Sequence, residues 1–138
     1  MSVGVLLINH QHVGSGLLAA ARSICGEYAG SIEEVSISHD AKPLDVIVEI
    51  ENKMQALDQG SGVLILSDLY GSTPSNIATQ FYQLGNVSVV LGVNLPMLIR
   101  VFNYPKDDLD KVTAKAIAGA KDGVFAYPPK IKEGGYAK

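Results

Sequence analysis

The chain has 138 residues, of which 47 % are hydrophobic and 18 % charged, and its formal net charge is −3. This length suits one domain with its own core, and the composition excludes an intrinsically disordered chain. The acidic balance and the lack of a basic stripe exclude nucleic acid and an anionic membrane surface as partners. No apolar run approaches the roughly 20 residues of a membrane span, and a single cysteine excludes an internal disulfide. The N-terminus shows no secretory signal, so we expect a cytoplasmic protein.

The first half of the chain alternates strands with helices. An apolar run predicts a first strand over Val3–Ile8, and apolar residues at helical spacing predict a first helix over Gly14–Tyr28. Alternating apolar and polar residues predict a second strand over Ile32–Ile37, and a second amphipathic helix follows over Pro43–Leu57. The stripe predicted to be buried on the first helix comprises Leu17, Leu18, Ala21, Ile24, Cys25 and Tyr28.

The second half continues this alternation. A third strand is predicted over Val63–Ser67, and a third helix begins with Thr73 as its N-cap and Pro74 in its first turn. Further elements are predicted as a strand over Val87–Leu91 and helices over Leu95–Phe102 and Leu109–Lys121.

Continuous apolar strands separated by helices predict an α/β fold, with a doubly wound, mainly parallel sheet covered on both faces. Right-handed crossovers favour the strand order 2-1-3-4. We expect residues 1–127 to form a single domain, in which the apolar run Gly123–Tyr127 supplies a C-terminal edge strand. The polar, turn-rich residues 128–138 are expected to form a flexible tail.

Two chemically active side chains follow neighbouring strands of this sheet. His10 comes after the first strand and Asp68 after the third, and the crevice of such a fold lies between these strand ends. His10 has two interpretations: a ring that pins a loop, or a nucleophile or general base that titrates near neutral pH. Asp68 either accepts from nearby backbone donors or holds the tautomer of the His10 ring and stabilises its positive charge.

The loop after Asp68 is rich in glycine and hydroxyl groups. Gly71 frees the backbone, Ser72 and Thr73 supply hydroxyls, and the start of the third helix presents unpaired N–H groups to an anion. The same hydroxyls also suit simple helix capping, so both roles stay open.

Other polar residues lie at the same end of the sheet, and each also has an ordinary structural interpretation. The histidines have no metal-ligand spacing with the lone cysteine, and we predict neither a metal site nor a cofactor. His39 is interpreted as partner-facing or solvated. The further residues with a candidate partner-facing role are His12, Asn94, Pro96, Met97 and Arg100.

Three blocks in order resemble the IIA component of the mannose-type sugar phosphotransferase system. They are the apolar strand ending in His10 with Leu17 and Leu18 after it, the stretch Gly62–Asn76, and the stretch Gly92–Leu98. The resemblance runs to about Phe125. Although His12 lies close by, the spacing to the two leucines selects His10 as the modified ring.

The resemblance implies a phosphoryl carrier, that is, a phosphotransferase. His10 would accept the phosphoryl group from a phosphohistidine of the carrier protein HPr and pass it to a histidine of a IIB partner. Asp68 would support His10, and the loop through Thr73 would hold phosphoryl oxygens. It also implies a homodimer in which Gly123–Ala126 crosses to the partner's sheet, and contact with the membrane only through IIC and IID permease partners. Because no IIB domain is fused here, we expect a separate acceptor protein or a regulatory role.

Two other classes share the predicted fold. A receiver domain would be phosphorylated on Asp68, but it needs an acidic pair after the first strand, where this chain has Asn9 and His10. A flavodoxin-like module would need a run of hydroxyl side chains in that same loop, which is absent. The chemistry of the phosphorylated protein separates the receiver from the histidine carrier.

Overall fold

A computed structural model of the chain describes residues 2–69, 71–132 and 135–136. Its sheet has four parallel strands in the order β2-β1-β3-β4, which confirms the predicted α/β fold and strand order. The strands are β1 Gly4–His10, β2 Ile32–Ile37, β3 Val63–Ser67 and β4 Val87–Leu91.

Helices cover both faces of the sheet. Side chains of β1 alternate between two cores: Leu7 packs in the core that contains residues of α1, α4 and α5, and Leu6 and Ile8 pack in the core that contains residues of α2 and α3. By this alternation, Asn9 faces α1 and His10 faces the side of α2 and α3. The helices are α1 Val13–Cys25, α2 Pro43–Leu57, α3 Thr73–Thr79, α4 Leu95–Phe102 and α5 Leu109–Asp122, and a short 3₁₀ helix, Gln80–Leu84, follows α3.

The first strand and helix differ from the prediction at their ends. β1 runs two residues further, because His10 still pairs with Ile37 of β2. α1 ends at Cys25, since Gly26 follows with a positive φ of 78°. The predicted buried stripe is wrong at Ile24, which is 61 % exposed, and at Cys25, which is exposed, whereas Tyr28 lies beyond the helix and is buried as predicted.

Residues 123–127 form no strand in the chain's own sheet, and Val124, Phe125 and Tyr127 are exposed. An edge strand exchanged with the sheet of a partner chain stays a prediction. Further on, Ile131–Lys132 pairs with Gly135–Tyr136 in a short antiparallel ladder, β5 and β6. The predicted tail 128–138 includes residues 133–134 and 137–138, which lie outside the described residues, so the flexible tail stays a prediction.

Candidate functional site

His10 is the last residue of the central strand β1. The backbone N–H of Gln11 still donates to the carbonyl of Ile37, at 3.1 Å. His12 then takes a left-handed conformation, with φ 72°, and serves as the N-cap residue of α1. The chain therefore turns away directly after His10, and its imidazole remains at the carboxyl end of the sheet with 47 % of the side chain exposed.

Asp68 holds the His10 ring in place from the neighbouring strand end. Its Oδ2 lies 2.7 Å from Nδ1 of His10 and also accepts from the His10 backbone N–H at 3.0 Å. Its Oδ1 accepts from the backbone N–H of Leu69 at 3.0 Å. Both carboxylate oxygens are thus engaged, and the Asp68 side chain is only 13 % exposed. The structure brings together the two residues that the sequence places at these strand ends.

The protonation state of this pair follows from its contacts. Partial burial on its own would raise the pKa of the Asp68 carboxyl, but hydrogen bonds from the His10 side chain and backbone and the charge of the ring outweigh burial and lower that pKa. Asp68 is therefore ionised at neutral pH and can only accept, so Nδ1 of His10 must donate. In the neutral ring the lone pair then lies on Nε2, the nitrogen that reaches away from Asp68.

The loop between β3 and α3 is shaped by Gly71 and Ser72. Gly71 has a φ of 84°, which favours glycine. Ser72, rather than the predicted Thr73, is the N-cap of α3: its Oγ lies 3.4 Å from the backbone N of Ser75 and donates to the carbonyl of Leu69 at 2.6 Å. The Ser72 hydroxyl is thus used within the loop, and Thr73 is the exposed residue beside it.

A cleft of about 150 Å³ opens beside His10, on the side of α2 and α3. Its polar lining includes His39 from the β2–α2 loop and Thr73 from the start of α3, and most of the remaining wall is apolar. The sequence predicted correctly that His39 lies at this end of the sheet. It did not predict that His39 and His10 line the same cleft. The apolar lining comprises Ile37, Ala41, Pro43, Val46, Pro74 and Ile77.

The predicted partner-facing residues at the start of α4 have structural roles. Asn94 caps that helix, accepting from the backbone N–H of Met97 at 2.9 Å. Met97 is 1 % exposed and packs in the core, so its partner-facing assignment is wrong. Arg100 forms an ion pair with Asp122 at 3.2 Å, and Pro96 is half-buried. His12 and His39 are exposed, whereas Asn94, Pro96 and Arg100 are half-buried.

Sequence reasoning missed a buried polar cluster beneath His10, on the opposite face of the sheet. Asn9 is fully buried, and within the described residues its amide atoms have no hydrogen-bond partner. A Cβ added at Gly14 would lie 2.9 Å from Oδ1 of Asn9 and 3.2 Å from Oε2 of Glu34, so the glycine leaves room for both groups. A polar residue inside an otherwise apolar strand was the available signal.

Comparisons with known proteins identify the family of the chain. A family model described as "PTS system fructose IIA component" (EIIA-man) matches residues 4–117. The chain belongs to the mannose-type IIA family of the sugar phosphotransferase system. As a member of this family it is a IIA component.

Individual relatives support the same assignment. The mannose-specific EIIAB component of Escherichia coli K12 is 30 % identical over 139 residues, covering 96 % of this chain and 42 % of the relative, so the chain spans about two fifths of that relative's length. Two solved structures share the fold. The mannose/sorbose-specific IIA subunit of Enterococcus faecalis superposes with a TM-score of 0.83 and 24 % identity, covering 96 % of this chain and all of the other. The IIA protein of the Streptococcus pneumoniae fucose utilization operon gives 0.78 and 23 %, covering 91 % and 96 %.

Among residues 2–69, 71–132 and 135–136, no three His, Cys, Asp or Glu side chains lie together as a metal ion would require. In the same part of the chain, no helix combines the length and the apolar character needed to cross a membrane.

Proposed function

We propose that the protein is a phosphoryl carrier that receives the group on Nε2 of His10. The observation that carries this proposal is the 2.7 Å contact between Nδ1 of His10 and the ionised carboxylate of Asp68. That contact assigns the proton to Nδ1, leaves the lone pair on Nε2, and sets a negative charge beside the ring. A ring held in this way is ready to attack phosphorus and to bear the positive charge that results.

The transfer steps need few groups from the protein. Nε2 of His10 attacks the phosphorus of a phosphohistidine on HPr, the donor's N–P bond breaks, and its electron pair returns to the donor ring. The new N–P bond leaves the His10 ring positively charged, opposite Asp68. A histidine of a IIB partner then attacks the phosphorus in turn, and His10 recovers its lone pair. Positioning and charge stabilisation supply most of the rate.

The loop of Gly71, Ser72 and Thr73 is proposed to hold the phosphoryl oxygens. Thr73 lines the same cleft as His10, so its hydroxyl is placed to donate to a group attached there. Gly71 supports the turn through its positive φ. Ser72 supports it through its hydrogen bonds to Leu69 and Ser75, so we assign Ser72 to the shape of the loop.

The proposed partners are HPr as donor and a IIB component as acceptor, in the cytoplasm, with contact to the membrane only through IIC and IID permease partners. The relative in Escherichia coli is named a mannose-specific EIIAB component, and this name supports a IIB partner. A homodimer with an exchanged C-terminal strand would cover the exposed side chains of Val124 and Phe125. Onward transfer to a IIB protein would indicate sugar uptake, and a phosphorylated end state would indicate regulation.

The decisive experiment follows a ³²P label from phosphorylated HPr. We expect a label that is labile to acid and stable to base, as for phosphate bound to nitrogen, and that is absent in His10→Ala. His12→Asn is the matched control: it removes the adjacent ring but keeps a residue that tolerates the left-handed conformation found there, and it should retain the label.

Two results would contradict the proposal. A label that persists in His10→Ala and is lost in His12→Asn would assign the reaction to the other ring. A base-labile label lost in Asp68→Ala would indicate an aspartyl phosphate, as in a receiver domain.

A further inference from the structure

We propose that His39 is a second reactive-site histidine, whose ring N–H donates a hydrogen bond to the phosphoryl group carried by His10. This inference rests on the proposed function in one respect, since it takes His10 as the phosphoryl acceptor. It adds a catalytic contact on the side of the ring opposite Asp68. His39 itself forms and breaks no covalent bond. Its ring N–H donates to a phosphoryl oxygen while the N–P bond exists, and it donates to water again when the phosphoryl group has left.

The order of the strands places His10 between the two side chains. β1 lies between β2 and β3 in the sheet, and His10 is in register with Ile37, the last residue of β2. Asp68 directly follows β3, and His39 comes two residues after β2. The three strand ends therefore carry a carboxylate, a reactive imidazole and a second imidazole in that spatial order.

The tether to Asp68 directs the reactive nitrogen away from β3. Nδ1 and Nε2 point to different sides of an imidazole ring, and Nδ1 is held 2.7 Å from Asp68. His10 and His39 both line the cleft of about 150 Å³ beside the ring. That volume corresponds to about five water molecules, which is room for the four heavy atoms of a phosphoryl group.

The chemistry of the cleft requires a donor of this kind. Apart from Thr73 and Ser38, the wall around the two histidines is apolar, and an anion beside an apolar wall needs hydrogen-bond donors to replace lost water. Ser38 donates through its hydroxyl to Asp40 at 2.8 Å, so its proton is already used. The His39 ring, in contrast, has no hydrogen bond or ion pair to any part of the chain that the structure describes. It is thus an exposed donor at a site where a negative charge is to be bound.

The first test observes the His39 ring directly. The protein is phosphorylated chemically with phosphoramidate, a small donor of phosphoryl groups to histidine, and its imidazole resonances are followed by ¹H–¹⁵N NMR. We expect the His39 resonances to shift on phosphorylation, because the ring N–H then donates to a charged phosphoryl oxygen.

The second test measures the rate of phosphoryl transfer in variants of His39. We expect His39→Ala to transfer about 3- to 10-fold more slowly, the size of effect that one hydrogen bond supplies. His39→Gln retains an N–H donor and should recover part of the loss, which a merely structural role would not explain. Gln55→Ala, exposed near the far end of α2, is the control variant and should transfer at the wild-type rate.

The outcomes separate this inference from the proposed function. His39 resonances that do not shift on phosphorylation, or a His39→Ala protein with the wild-type transfer rate, would overturn the inference and leave the carrier function standing. Labelling of His10 by phosphoramidate but not by phosphorylated HPr would overturn the proposed donor, while the NMR result would still decide the contact. A His10 that neither donor can phosphorylate overturns both.

Discussion

The two ends of the sheet are built from opposite kinds of contact. At the amino end, glycines let backbone segments approach closely: a Cβ at Gly4 would lie 2.6 Å from the carbonyl oxygen of Leu57, and one at Gly62 would lie 2.5 Å from that of Asn86. At the carboxyl end, β1 finishes on His10 and β3 on Ser67, directly before Asp68, and the cleft beside His10 is open. The same strands thus support a tightly packed end and an end that leaves room for a reacting group.

This difference indicates that the amino end of the sheet contributes mainly to stability and the carboxyl end mainly to the reaction. Substitutions at the amino end should lower the free energy of unfolding without changing transfer by the folded protein. Substitutions of the reacting pair His10 and Asp68 at the carboxyl end should change transfer more than stability, whereas a residue that only shapes the neighbouring loop, such as Ser72, should change stability. Three substitutions and one pH series test this difference between the two ends, and the largest effect is expected for Gly62.

Gly62→Ala should be the most damaging substitution at the amino end. The residue has a φ of 89°, which strains any side chain, and its new Cβ would meet the backbone of Asn86. We expect the free energy of unfolding to fall by about 3 kcal/mol, measured by urea denaturation. Gly16→Ala is the control: Gly16 lies within α1, has open space around it, and should gain about 0.5–1 kcal/mol. Equal stability of the two variants would contradict the tight packing at this end.

Asp68→Asn should separate chemistry from stability at the carboxyl end. The amide keeps the size of the carboxylate but loses the charge that stabilises the phosphorylated ring and assigns the proton to Nδ1. We expect phosphoryl transfer to slow by about 10–100-fold, as for other residues that orient a reactive imidazole. Circular dichroism should show the wild-type fold. Transfer at the wild-type rate would remove the supporting role from Asp68.

Ser72→Ala should have a smaller effect, and on stability alone. The substitution removes the N-cap of α3 and the hydrogen bond to the Leu69 carbonyl. We expect a loss of about 1 kcal/mol in the free energy of unfolding, whereas Ser72→Gly should lose only a few tenths. A large loss of transfer with unchanged stability would assign the hydroxyl to the phosphoryl group instead.

The pH dependence of stability should show the smallest effect. Folding lowers the pKa of Asp68 below its ordinary 3.8, so the carboxylate stabilises the folded state above that pH, and this contribution is lost as the pH falls through the lower, folded-state value. We expect the wild type to exceed Asp68→Asn by about 0.5 kcal/mol at neutral pH, with the gap closing below about pH 4. Denaturation series of both proteins from pH 7 to pH 3 measure it; a gap that widens towards low pH would reverse the sign.

Most of the fold could be read from local patterns. The bounds of α2, β3, β4 and α4 agree with the prediction, because buried strands and amphipathic helices follow from the spacing of apolar residues and from prolines at helix starts. The ends of α1 did not follow from spacing. Ile24 and Cys25 continue the apolar period, but the helix ends there, and both are exposed. Periodicity describes which residues share a face, and it does not tell whether anything covers that face.

The candidate site, too, could be predicted from the sequence only in part. That His10 and Asp68 end neighbouring strands is a property of the sequence, since parallel strands bring their carboxyl ends together. Only the tertiary structure decided that Nδ1 faces Asp68, that His39 shares the cleft, and that Met97 is buried. These facts depend on which side of a strand each residue faces and on how loops far apart in the chain pack together. A linear pattern records spacing along one segment, whereas the distance between two segments exists only in the folded chain.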